Sequence, residues 1–198
     1  RDTDRSRGLG DVYKRQIEAV EAGREIDKVF VANTLQGDLA RELMSVLKAN
    51  KILLQKVPIE KINRLTRRNH QGVVAMLSAV SYARLDTVVP SLFEEGRVPL
   101  IVVLDGITDV RNFGAIARTC ECAGVDAIVI PRRGGVSVGA DAMKTSAGAL
   151  SYLPVCREGS TVNSVKYLLD CGFRIIGATE KGSVDYTQAD YTLSLIHI

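Results

Sequence analysis

The residues Pro99–Leu104, PLIVVL, are apolar without interruption, and a polar turn, a helical pattern and a second apolar stretch, Asp126–Ile130, follow. An unbroken apolar run reads as a strand covered on both faces, as in a parallel sheet between two layers of helices. Parallel neighbours need a crossover, and Phe113–Ala123, between the two runs, has helical spacing. The alternation continues with strands expected at Leu153–Cys156 and Phe173–Ala178 and helices at Ala140–Ala149 and Val162–Cys171. The region 98–192 is therefore predicted to be an α/β domain with a parallel sheet and helices on both faces.

A smaller α/β pattern precedes it over 17–80. Helices are expected at Ile17–Gly23, at Leu39–Ala49 and from Pro58 through Ile59, Ile62 and Leu65, and strands at Asp27–Asn33, Lys51–Val57 and Gly72–Val80. Residues 81–97 carry Pro90 and Gly96 and read as a linker with a short helix at Ser91–Glu95. The first 16 residues and the last six, LSLIHI, break abruptly from the patterned sequence. Both resemble translated adapter read-through and are left out of the fold expectation.

Composition narrows the function classes. The chain is 46% hydrophobic, enough for a core, yet no apolar run approaches the ~20 residues of a membrane span. The four cysteines form no C-x-x-C pair and there are two histidines, so no metal site is expected. Free thiols in a reducing cytoplasm are the expected state. The formal net charge of +3 falls to +1 once the first 16 residues are set aside, so only local clustering speaks for nucleic acid.

In open parallel sheets ligands lie beyond the carboxyl ends of the strands. Three polar clusters fall there: Asp105–Asn112, Arg132–Gly135 and Thr179–Gly182. The spacing Asn112-x-Gly114-x-x-x-Arg118 admits two readings. Asn112 is a helix cap with Arg118 solvated, or the two lie on roughly the same side of the helix and meet an anion or hydroxyl. No phosphate-binding glycine loop, G-x-G-x-x-G or G-x-x-x-x-G-K-[ST], occurs. Lys61, Arg64 and Arg68 follow i, i+3, i+7 with Arg67 beside them, a solvated basic face or a phosphate-contacting patch. Asn69, His70 and Gln71 offer polar side chains at a strand entry, suited to RNA bases or sugars. Lys144 and Ser146 sit among small residues in DAMKTSAGAL, a pattern of close helix packing.

Taken together, LDGITDVRNFGAIARTCECAGVDAIVIP, KTSAGALSYLPV and RRNHQGVVA make the chain resemble the SpoU/TrmH family of RNA ribose 2′-O-methyltransferases. Among its branches it is most similar to the bacterial, Bacteroidetes-like one that methylates a guanosine ribose in 23S rRNA. The resemblance covers about Ile17 to Tyr191. It implies an L30e-like RNA-binding domain, an α/β-knot methyltransferase domain, S-adenosylmethionine as cofactor, rRNA as partner and a homodimer. It also implies that Asn112 and Arg118 are catalytic, with the arginine orienting the target ribose and favouring its oxyanion, and that Thr179 lines the cofactor pocket. Arg64, Arg67, Arg68, Asn69, His70 and Lys144 are the expected RNA contacts. Two family motifs, a Gly/Glu loop and a Ser-Leu-Asn segment that completes the knot, are expected after residue 191 and do not occur. The chain is therefore expected to be a C-terminally truncated copy that binds the cofactor poorly and is inactive as given.

Overall fold

The structure is a computed structural model and describes residues 25–179, 181–182, 185–188 and 195–197. The helix expected at Ile17–Gly23 lies outside them. The chain divides into two compact units, Arg1–Ser78 and Ala79–Ile198. No helix among the described residues is long and apolar enough to cross a membrane.

The first unit is a three-stranded sheet in the order β2-β1-β3, formed by β1 (Ile26–Ala32), β2 (Leu53–Val57) and β3 (Val73–Leu77). β1 runs parallel to β2 and antiparallel to β3. Helix α1 (Asp38–Ala49) turns Leu43 and Leu47 inward against Val29, Val31 and Val73, and helix α2 (Ile59–Leu65) packs Ile62 against Phe30, Ala32 and Val57. Successive residues of β1 thus feed opposite faces, as a pleated strand with a helix on each side requires.

The second unit opens with helix α3 (Leu85–Glu94), which corrects the linker expected over 81–97. Leu85, Val89 and Leu92 recur one and two turns apart and are buried together with Ile101, Val103 and Val129. Pro90 is tolerated within the helix, on its exposed side. The sheet is five-stranded and parallel, in the order β6-β5-β4-β8-β7, from β4 (Leu100–Val103), β5 (Ala127–Pro131), β6 (Val155–Glu158), β7 (Arg174–Ile176) and β8 (Leu195–His197). The sequence reading set residues 193–198 apart from the fold; in the structure Leu195–His197 pair with β4 and β7. Helices α4 (Val110–Cys122), α5 (Ala140–Thr145) and α6 (Thr161–Asp170) complete the unit. Ile128 and Ile130 meet Phe113, Ala117 and Ala142 on one face, while Ala127 and Val129 meet Leu85, Val89 and Leu168 on the other. At the entry to β4 the buried Asp126 carboxylate accepts the Leu100 N–H at 2.8 Å and pairs with Arg97. That satisfies an amide at a strand edge that would otherwise cost about 1–3 kcal/mol.

Candidate functional site

The junction between β4 and α4 is set by Asp109. Its Oδ1 accepts the N–H groups of Arg111 at 2.9 Å and Asn112 at 2.8 Å, so Asp109 is the helix cap and Asn112 lies in the first turn. Phe113, Gly114, Ala117 and Cys120 form the buried stripe of the helix; Asn112 and Arg118 are both exposed. The expectation that these two share a side is corrected by the helix itself. Six residues at about 100° each leave them about 120° apart and about 9 Å along the axis, one on each flank of the buried stripe. Arg118 lies one turn beyond Gly114, on the flank that faces α5, because Gly114 is in contact with Thr145 and Ser146. Asn112 lies on the other flank. Gly114 is where α4 comes close to the end of α5.

Lys144 lies in the last turn of α5 and is exposed, whereas its neighbour Ser146 is fully buried, its hydroxyl donating to the Met143 carbonyl at 2.9 Å. Thr179 follows β7, on the far side of β4 from β5 and β6. Its hydroxyl oxygen accepts the Lys181 N–H at 3.3 Å and its carbonyl accepts the Gly182 N–H at 3.1 Å, so the residue shapes the turn there.

On the other side, the carboxyl ends of β5 and β6 border a cleft of about 530 Å³, of whose lining only Arg132 belongs to a polar cluster singled out in the sequence. Arg84, Asp86, Arg132, Arg157, Glu158 and Asn163 contribute to its walls. The Arg84 guanidinium donates to Asp86 and holds its carboxyl below the usual range. Glu158 accepts the Leu85 N–H at 3.1 Å, its backbone carbonyl accepts the Arg132 N–H at 2.7 Å, and the Arg157 guanidinium lies 4.9 Å above the Tyr82 ring. These groups come from three distant stretches of chain, so no local motif could have revealed them together. A hydrogen bond of 3.2 Å from the Thr161 hydroxyl to Asp105 Oδ1 ties the start of α6 to the β4–α4 loop.

The basic segment of the first unit is not one helix face, which corrects the i, i+3, i+7 reading. Helix α2 stops at Leu65, Thr66 is extended, and the Thr66 hydroxyl accepts the Arg68 N–H at 3.2 Å in place of a helical bond. Arg64 is in the last helical turn, and Arg67 and Arg68 lie beyond it, all three exposed. Lys61 is held 5.4 Å over the Phe30 ring. His70 Nδ1 accepts the Gly72 N–H at 3.0 Å, which makes Nε2 the protonated nitrogen, donating to Asn63 Oδ1 at 2.8 Å. Gln71 and Gly72 are both at positive φ, and the Val73 N–H closes the turn on the His70 carbonyl at 2.8 Å. Arg68, Asn69 and His70 thereby line a cleft of about 690 Å³ together with Thr34 and Gln36 from the loop after β1.

No cluster of metal-ligating side chains occurs among the described residues. Burial pushes the Cys120 thiol up to about 11 and the Cys156 thiol to about 12, which makes both poor nucleophiles.

Two family models match the chain: SpoU rRNA Methylase over residues 99–197, and RNA 2′-O ribose methyltransferase substrate binding over residues 17–83. A protein of Staphylococcus saprophyticus named for the TrmH family of tRNA/rRNA methyltransferases is 33% identical over 178 residues, covering 90% of this chain and 72% of its own. Its counterpart in Staphylococcus epidermidis is 32% identical over 181 residues, 73% of its length. Among solved structures, the AdoMet-bound rRNA methyltransferase of Sinorhizobium meliloti superposes with a TM-score of 0.51 at 23% identity, over 91% of this chain. This chain spans 65% of that protein's length. The AdoMet complex of the SpoU methyltransferase AviRb of Streptomyces viridochromogenes gives 0.51 at 20% identity, over 94% of this chain and 68% of that one. These two likenesses bear on the fold.

Proposed function

The chain belongs to the SpoU rRNA methylase family, and on that premise we propose that it is an RNA ribose 2′-O-methyltransferase whose target is a guanosine of 23S rRNA, acting as a cytoplasmic homodimer. S-adenosylmethionine is the cofactor of this family. The observation that carries the reading is the β4–α4 junction. There a strand of a parallel sheet hands over, through the Asp109 cap, to a helix that exposes an amide and a guanidinium.

A ribose 2′-hydroxyl is nearly all neutral at pH 7 and a weak nucleophile. The bound cofactor supplies an electrophilic methyl group. Arg118, exposed on the helix, supplies fixed positive charge for the oxygen as its proton passes to solvent water and the methyl–sulfur bond gives way to the new methyl–oxygen bond. Asn112 offers a donor and an acceptor to the ribose. Because Asn112 and Arg118 leave the helix on different flanks, they address different parts of the nucleotide rather than one oxygen. Thr179 fits a cofactor contact, since a hydroxyl oxygen that accepts the Lys181 N–H keeps its own proton to donate. Arg64, Arg67, Arg68, Asn69, His70 and Lys144 hold the RNA, the arginines and lysine through phosphates and the 69–70 pair through base or sugar.

The experiment is methyl transfer from labelled S-adenosylmethionine to 23S rRNA and to tRNA, with the product nucleotide identified by mass spectrometry. A 2′-O-methylguanosine in rRNA supports the proposal. The names of the staphylococcal relatives join tRNA and rRNA, so label entering only tRNA moves the acceptor. RNA binding with no transfer is the outcome that the expected inactivity of this chain predicts, and it makes the chain as given a binding protein instead.

A further inference from the structure

We infer that the cleft at the carboxyl ends of β5 and β6 binds a phosphodiester of the RNA strand that flanks the target nucleotide. This rests on the RNA methyltransferase reading and adds a site to it. The lining holds three arginines, Arg84, Arg132 and Arg157, and two carboxylates, Asp86 and Glu158, a formal excess of one positive charge. Both carboxylates already accept hydrogen bonds from the protein: Asp86 from Arg84, and Glu158 from the Leu85 amide. Arg157 is seated against Tyr82, which fixes its planar fork in advance. Ser160 caps the ten-residue helix α6, so the positive end of that helix opens into the same cleft beside Asn163. Such a wall of planar cations, amide and helix start suits a phosphate, and a cleft of about 530 Å³ has room for a strand rather than one ion.

Position selects RNA over a free anion. The sheet order places β5 and β6 on one side of β4 and β7, with Thr179, on the other. The cleft at β6 is two strands, about 10 Å, from the end of β4. The Thr161–Asp105 hydrogen bond links the helix that walls the cleft directly to the loop that delivers Asn112. A strand whose ribose sits at α4 passes into this cleft on the side away from the expected cofactor contact.

The test is equilibrium binding of a labelled rRNA fragment by the full chain over a series of KCl concentrations, with methyl transfer to the same fragment measured in parallel. Arg132→Ala raises Kd roughly three- to tenfold and lowers the slope of log K against log salt by about 0.7–0.9, the signature of one lost phosphate contact. Arg132→Lys restores the slope. Arg133→Ala, which removes a neighbouring charge outside the cleft lining, leaves it unchanged. An Arg132→Ala slope equal to wild type overturns the inference, as does an equal loss from Arg133→Ala, which would mean a diffuse field. Inorganic phosphate that competes at constant ionic strength, with RNA affinity insensitive to Arg132, would reassign the cleft to a free anion. If wild type transfers no methyl group to any RNA, the functional reading fails, whatever Arg132 does.

Discussion

Gly114 lies so close to Thr145 that a Cβ added to it would overlap the threonine hydroxyl and press on the Ser146 amide. The hydroxyl cannot swing aside freely, because it donates to the Asp141 carbonyl at 2.8 Å and lies 3.2 Å from that of Ala142. The glycine between Asn112 and Arg118 is therefore what lets α4 and α5 approach.

Gly114→Ala is expected to destabilise the second unit. Alanine gains about 1 kcal/mol in helix propensity, but overpacking against a pinned neighbour costs about 1–3 kcal/mol. A calorimetric melting temperature several degrees below wild type is the expected outcome. A higher one would mean that the two helices separate at little cost.

His70→Ala removes the acceptor of the Gly72 N–H and the partner of Asn63. A loss of about 1 kcal/mol in the first unit is expected, together with weaker RNA binding. Asn63→Ala leaves the ring and its Gly72 bond in place, so it should lose less affinity. Equal RNA affinity for wild type and His70→Ala would make the histidine purely a turn device.

The thiols give a pH dependence of known sign. Cys120 and Cys156 are pushed up to about 11 and 12 by burial, so the folded state holds protons that the unfolded state releases near pH ~8.5. Their contribution is complete below that pH and is lost as pH rises through about 11–12. The melting temperature should fall across this window, and iodoacetamide at pH 8 should label exposed Cys122 well before either buried thiol. Rapid labelling of Cys156 in the folded protein would contradict its burial.

Much of this architecture was legible in the sequence, where period and apolar run length carry the information. PLIVVL and AIVI gave adjacent parallel strands, and the spacing of Leu43 and Leu47 gave α1. Capping was misread, because Asp109 and Asn112 are both good cap residues and only the backbone decides between them. The α3 region was taken for a linker since Pro90 and Gly96 outweighed the Leu85, Val89, Leu92 periodicity. Arg84, Arg132 and Arg157 were invisible as a group because tertiary structure alone brings them together.

The central claim is that Arg118 supplies charge to a forming ribose oxyanion. Its most direct test is the single-turnover rate of methyl transfer to rRNA by Arg118→Ala, with cofactor saturating and the fold checked by circular dichroism. Loss of a preorganised oxyanion partner predicts a fall of about 10²–10³-fold in rate with little change in RNA affinity. A rate close to wild type would contradict the claim and leave Arg118 as a solvated residue on the flank of α4.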